Sequence, residues 1–372
     1  MNSDPQDWYE VSNVAGIESP GLLFYIERIE ENITRMIGIA GGAERLRPHL
    51  KTHKTRELLQ MQMNRGIRKF KCATIAEAEL AATVGVPDLF LAYQPVGPNV
   101  ARLLELVQKY LLTRFSALFD NRRAAQQLSD AAAKRGVKLP VYLDVDVGQH
   151  RSGISPDHEA LSLYVSATKL PGLLVEGLHG YDGHISDADV TERKRKCEEA
   201  FTELRVLGKM IDAAGLPAPK IIAGGTPTFP FHAQRGDVDC SPGTCVLWDH
   251  GYGSKLPDMN FLPAALVITR VVSKPKANRL CVDLGHKAVA AESPQPRVFF
   301  PALPEVKIVV HSEEHLVLET DRAAEFEVGT VLYGIPWHIC PTVALHSHAT
   351  VVRQGRAGER WAIAARDRKL TV

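Results

Sequence analysis

The feature that most constrains this chain is an alternation. Between about residue 20 and residue 255, short apolar or β-branched runs trade places with longer stretches whose apolar residues recur at helical spacing. The runs fall at 22–26, 46–50, 70–73, 89–93, 115–119, 141–147, 173–178, 220–223 and 244–248. Between them, residues 30–40 place Ile33, Met36, Ile37 and Ala40 on one helical face, and 56–65, 75–84, 100–110, 122–135 and 189–214 carry similar patterns. So regular a succession, with short connections, predicts parallel βαβ units rather than a sandwich. The runs lack the alternation of a sheet wet on one face, which predicts strands buried on both faces. Eight units in about 235 residues fit a (β/α)8 barrel. Nine runs are one too many, so one lies outside it or is not a strand. An open doubly wound sheet is the alternative, but residues 26–42 hold no glycine-rich fingerprint after the first strand.

After Lys255 the texture changes. Runs at 267–272, 280–284, 306–310, 316–318, 331–333, 350–352 and 361–365 are strand-like and separated by Pro, Gly and charged turns. The predicted architecture is therefore α/β: a barrel over residues 1–258 and a C-terminal all-β domain over 259–372. The first 20 or so residues are a candidate addition to the β-domain. Lys+Arg 44 against Asp+Glu 43 leaves a net charge of +1, so no basic field exists to attract nucleic acid or an anionic membrane. No apolar run reaches a bilayer-spanning length. The N-terminal stretch, with Asp4, Asp7 and Glu10, lacks the basic and apolar regions of a signal. Six cysteines without framework spacing suit a reducing compartment, so a cytoplasmic location is expected.

Reactive groups of such a barrel sit where strands end and βα loops begin. Arg47-Pro48-His49-Leu50-Lys51-Thr52-His53-Lys54 ends the second run with two lysines, an arginine and two histidines. It reads equally as a basic surface loop, but a desolvated lysine at a strand end can form a Schiff base with an aldehyde. Ile222-Ala223-Gly224-Gly225-Thr226-Pro227-Thr228 and Cys240-Ser241-Pro242-Gly243-Thr244 offer glycine backbone and hydroxyls for a phosphate on late strands. In Asp144-Val145-Asp146-Val147-Gly148-Gln149-His150-Arg151-Ser152-Gly153, Arg151 can lie beside a heteroaromatic ring or pair with Asp146. Gly177-Leu178-His179-Gly180-Tyr181-Asp182-Gly183-His184 adds Tyr181 and His184. In the small domain, His338-Ile339-Cys340 sets two ligands for a borderline-soft cation two residues apart, on one side of the chain if extended, with His346 and His348 nearby. The pair reads also as a buried cysteine beside a hydrogen-bonded histidine; if a metal binds, two protein ligands leave positions open for water or substrate, which points to a catalytic rather than a structural metal.

Taken together, these motifs resemble the D-threonine aldolase and D-serine dehydratase family, pyridoxal-phosphate enzymes with the alanine-racemase type of barrel. The resemblance runs from about Glu18 to the end of the chain. It implies that Lys51, not Lys54, bonds the cofactor, that Arg151 faces the pyridine side and that Tyr181 lines it. It implies that Gly224, Gly225, Thr226, Gly243 and Thr244 hold the phosphate, and that His338 and Cys340 hold a divalent metal: zinc, manganese or magnesium. A homodimer whose active site borders the partner's β-domain is implied as well.

The expected activity is a metal-assisted lyase on β-hydroxy D-amino acids, foremost D-threonine aldolase, with His184 or metal-bound hydroxide as the base for the hydroxyl proton. The alternatives are a dehydratase of D-serine or D-threo-3-hydroxyaspartate, an amino-acid racemase, and a non-enzymatic carrier of the cofactor.

Overall fold

A computed structural model of the chain describes residues 8–372. The first seven residues of the N-terminal stretch read above lie outside the described ones. The chain divides into two units. One holds residues 35–51, 56–243 and 367–372; the other holds 8–34, 52–55 and 244–366.

The first unit is built on seven parallel strands in sequence order: Lys69–Cys72, Asp88–Leu91, Arg114–Phe119, Leu139–Val145, Leu173–Gly180, Lys220–Ala223 and Val238–Cys240. Residues 46–49 close the ring as an eighth stave without forming a continuous ladder. Leu46 bridges Cys240 and His49 bridges Lys71, both in parallel. Arg47 N–H donates to Cys240 O at 2.8 Å, and Lys71 N–H donates to Pro48 O at 3.0 Å. Proline at position 48 has no N–H to offer, which is one reason the ladder breaks there. The strands carry near-continuous buried runs, as expected when helices cover one face and the barrel interior the other.

Phe90, Leu118, Tyr142 and Ile222 fill the interior, with the Phe90 and Tyr142 rings edge to face at 5.3 Å. Each such side chain contributes about 1.5–3 kcal/mol by leaving water. The helices begin on side-chain caps: Thr74 for Ile75–Val84, Asn121 for Arg122–Lys134, Asp157 for His158–Ala167 and Asp189 for Val190–Ala213. Each cap satisfies backbone N–H groups that the first turn leaves without helical partners.

Two sequence expectations need correction here. The run at 22–26 is not a barrel strand: Gly21–Tyr25 lies in the second unit, antiparallel to Ala265–Lys276 and parallel to His348–Arg353. The run at 244–248 is not a strand either. It is a 3-10 turn, Thr244–Val246, whose side chains are buried all round. The last strand of the barrel sheet is instead Val238–Cys240, too short and too polar at Asp239 to stand out.

The second unit is a mixed sheet. Lys307–His311, Leu316–Glu319, Arg279–Val282, Ala265–Lys276, Gly21–Tyr25, His348–Arg353 and Arg356–Ala362 follow one another in space. Val331–Pro336 pairs with both Ala265–Lys276 and Val298–Phe299. One apolar cluster centres on Val267, Leu280, Phe300 and Leu332, and another on Tyr9, Leu23, Tyr25 and Ile268. Among the described residues, no helix is long and apolar enough to cross a membrane.

Candidate active site

A cavity of about 590 Å³ opens at the C-terminal ends of the barrel strands. Lys51 stands on the 3-10 turn Leu50–Thr52 that follows the eighth stave, and its N–H donates to His49 Nδ1 at 3.3 Å. Arg151 and Tyr181 line the same space. The Tyr181 ring gathers three cations: Lys51 Nζ at 5.8 Å from its centroid, Lys71 Nζ at 5.5 Å and the Arg151 guanidinium at 4.9 Å. Arg151 does not need Asp146, which is bonded to the His150 ring at 2.9 Å and to the Gly148 and His150 N–H groups.

The basic motif around Lys51 is sorted by the fold. His49 lines the cavity with Lys51. Arg47 is buried and ties two staves together through Asp88 at 2.6 Å and Asp239 at 3.0 Å. In the second unit, His53 is fully buried, and burial lowers its imidazole to about 3, so it stays neutral and accepts the Thr55 N–H at 3.1 Å. Lys54 takes a left-handed backbone (φ 53°) and donates to Ala365 O at 3.4 Å.

The loop after Lys220–Ala223 is held from behind. Gly225 N–H donates to Asp182 Oδ1 at 3.0 Å, and Thr228 Oγ1 donates to the same oxygen at 2.7 Å. The other oxygen of Asp182 receives His232 Nε2 at 2.8 Å. Burial disfavours the Asp182 charge, but His232, Thr228 and the Gly225 N–H outweigh it and hold the carboxyl below the usual carboxylate range. Gly224 N–H is bonded to Gly180 O and Gly243 N–H to Thr226 Oγ1. These three glycine N–H groups are thus bonded within the protein rather than lined up as an open cradle. What the glycines provide is room: a Cβ on Gly224 (φ 87°) would meet His232 Cδ2 at 2.6 Å. Thr226 and Thr244 are both buried, Thr226 closing the first unit's loop and Thr244 opening the next segment of the second.

His184 is exposed and is not among the residues lining the cavity. Three residues past Tyr181, the chain has turned outward, and a Cβ on Gly148 would lie 3.2 Å from His184 Nε2.

Sequence reasoning missed Lys71, His179, Asp182, His232 and Cys197. Lys71, 3 % exposed, lies in the strand Lys69–Cys72 and donates to His179, which is bonded to Asp144 at 2.6 Å. Asp182 and His232 form the support just described, and Cys197 Sγ lies 3.5 Å from His232 Nε2. Asp182, Cys197 and His232 converge closely enough to ligate a cation. Their donor atoms are, however, already bonded to one another, to Thr228 and to Arg235.

In the second unit, His338 and Cys340 are not on one strand. Val331–Pro336 ends before them; His338 is the extended residue preceding the helix Ile339–Leu345, and Cys340 sits in its first turn. The side chains nevertheless meet. Burial opposes charge on His338, but Cys340, Asp249 and Glu292 raise its imidazole to about 9. Glu292 Oε1 lies 2.6 Å from His338 Nδ1. Cys340 Sγ contacts Thr52 Oγ1 at 3.2 Å and Thr244 Oγ1 at 3.5 Å. A carboxylate on one imidazole nitrogen, with a cysteine interacting with the same ring, suits a histidine that ligates a divalent metal.

Two family models match the chain: "Alanine racemase, N-terminal domain" over residues 25–247 and "Putative serine dehydratase domain" over 264–352. A D-threonine aldolase of Arthrobacter sp is 30% identical over 359 residues, 95% of this chain and 94% of that protein. A D-threo-3-hydroxyaspartate dehydratase of Delftia sp. is 26% identical, over 88% of this chain and 92% of that protein. The crystal structure of a D-threonine aldolase from Filomicrobium marinum superposes with a TM-score of 0.87 at 26% identity, covering 94% of this chain and 96% of that one.

Proposed function

This chain belongs to the alanine racemase N-terminal domain family, within the group of pyridoxal-phosphate-dependent D-threonine aldolases, hydroxyaspartate aldolases and dehydratases, and from that premise we propose that it is a D-threonine aldolase. The reaction cleaves D-threonine to glycine and acetaldehyde. The observation that supports this reading most directly is the cavity at the strand ends in which Lys51 shares one aromatic ring with Arg151.

The donor set suits pyridoxal phosphate. A primary amine, an aromatic ring and an excess of cations in about 590 Å³ match an anionic heteroaromatic aldehyde. When bound, the cofactor withdraws electrons from the substrate's Cα. Lys51 would hold the cofactor through its amine, and its Nζ would serve to move a proton at the substrate's Cα. Arg151 and Tyr181 orient the ring and keep water from its face. Gly224, Gly225, Thr226, Gly243 and Thr244 shape the phosphate loops, with Asp182 and His232 bracing the first.

His338 and Cys340 would hold a divalent metal, which supplies Lewis acidity toward a hydroxyl. Glu292 aims the His338 ring. His184 remains the proposed acceptor of the hydroxyl proton. The chain works as a homodimer in the cytoplasm under this reading.

Cys340 is the observation that favours a second reading, a dehydratase of D-serine or D-threo-3-hydroxyaspartate, since cysteine as the second metal ligand is what the resemblance associates with the dehydratase branch. Incubating the loaded protein with D-threonine, D-serine and D-threo-3-hydroxyaspartate and assaying aldehyde against keto acid decides between them. Aldehyde from D-threonine supports the aldolase; keto acid alone replaces it with the dehydratase.

A further inference from the structure

The reaction above leaves one buried amine of the cavity without a task. Lys71 Nζ lies 2.9 Å from Nε2 of His179, and His179 Nδ1 lies 2.6 Å from Oδ1 of Asp144. An ionised carboxylate only accepts, so Nδ1 carries the ring hydrogen and Nε2 presents a lone pair. Lys71 therefore donates to His179, which pins one of its hydrogens and fixes where the others point. The second oxygen of Asp144 is occupied by Ser152 Oγ at 3.0 Å. Lys51 and Arg151 approach the same Tyr181 ring, adding positive charge around Lys71. A desolvated ammonium with like charges nearby and its nearest carboxylate engaged elsewhere is costly until an anion joins it.

We propose that Lys71 is an anion-binding residue of this cavity, its amine facing an anionic oxygen of the bound ligand, with His179 and Asp144 as the positioning residues that aim it. The inference rests on the cofactor reading above. Two sources offer such an oxygen: the ring hydroxyl of pyridoxal phosphate and the carboxylate of an amino-acid substrate. The charged and titratable groups facing the amine are Lys51, Arg151, Asp144, Asp182 and His179. Burial and the Lys51 charge together push the amine down to about 7, so an anion beside it also restores the ammonium at neutral pH.

The test uses ligands that cannot bond Lys51 covalently. 4'-Deoxypyridoxine 5'-phosphate lacks the aldehyde but keeps the ring hydroxyl; its 3-deoxy counterpart lacks both. Lys71→Met preserves length and removes charge, and His179→Gln is a milder second variant. Binding of each analogue to the full chain is measured by equilibrium dialysis, with thermal unfolding as the folding control. A charge-assisted hydrogen bond predicts that Lys71→Met weakens the hydroxyl-bearing analogue about 10- to 100-fold while the 3-deoxy analogue changes by less than about twofold. His179→Gln should show a smaller loss with the same selectivity. If the carboxylate is the partner, both analogues bind alike, and spectral titration of the loaded proteins shows Lys71→Met weakening glycine but not glycinamide. Equal binding of all four ligands by wild type and Lys71→Met overturns the proposal, as does an equal loss of both analogues. Wild type binding neither analogue overturns the cofactor reading instead.

Discussion

Asp182 Oδ2 lies 2.8 Å from Nε2 of His232, and the same carboxylate, through Oδ1, holds Gly225 N–H and Thr228 Oγ1. One buried side chain thus joins the end of a barrel strand to the loop expected to meet the cofactor phosphate. Removing a single partner of such a pair leaves the other desolvated and uncompensated, so Asp182→Ala should cost about 3–5 kcal/mol and lower affinity for pyridoxal phosphate. Asp182→Asn should cost less, because an amide oxygen can still accept from Gly225 and Thr228. The fold holds this carboxyl below the usual range, so its stabilisation is complete above the unfolded value of about 4 and is lost as pH falls through the folded value. In urea titrations, the gap between wild type and Asp182→Asn should be level from about pH 5 to 7 and close below about pH 4.

Lys51 and Lys54 make opposite predictions. Lys51 lines the cavity, whereas Lys54 is spent on Ala365 O. Lys51→Ala should abolish the visible absorbance that lysine-bound pyridoxal phosphate gives and lower turnover by several orders of magnitude. Lys54→Ala should leave both near wild type. An undiminished band in Lys51→Ala would show that the wrong amine was assigned.

The barrel mouth was readable because its chemistry is concentrated in short motifs at strand ends. Lys51, Arg151 and Tyr181 stand within a few residues of where an apolar run stops, and they do share one cavity. The run at 22–26 was misplaced for a physical reason: an apolar β-strand carries no mark of which sheet it joins, and this one pairs with segments far along the chain. The run at 244–248 shows that burial alone does not make a strand. Lys71 and His179 were invisible because 108 residues separate them, and Asp182 and His232 because 50 do. Lys71 also sits in Lys69-Phe70-Lys71-Cys72, whose alternation of lysine with apolar residues imitates a strand with one wet face.

Metal dependence should follow the second unit's histidine. Glu292 bonds His338 Nδ1, so it orients the ring and strengthens the ligand without touching the ion. Glu292→Ala should weaken metal binding about 10- to 100-fold, with activity restored at high metal concentration. His338→Ala and Cys340→Ala should lose activity as fully as chelation does, and added metal should not rescue them. Atomic absorption on the dialysed variants together with metal titrations of activity separates the two cases. Activity that survives a chelator in wild type would remove the metal from the reaction.

Lys71 makes a prediction in the protein without cofactor, where its charge has no ligand to answer it. Burial first, and then Lys51, lower its folded value to about 7 from an unfolded value near 10.4. Between these values the unfolded chain binds a proton that the folded chain does not, so stability rises with pH across that window. Below about pH 7 the folded chain carries the full cost of the buried ammonium; above about pH 10.4 both states are neutral and the cost is gone. Lys71→Met removes the charge while keeping most of the volume. It should therefore raise the melting temperature of the cofactor-free protein near pH 6, and that advantage should shrink steadily toward pH 10. Saturating pyridoxal phosphate should erase or reverse the advantage at pH 6, since the anion then stabilises wild type more than the variant. A Lys71→Met protein that melts lower than wild type throughout would mean that the amine is a structural tie, held by His179 for the sake of the fold.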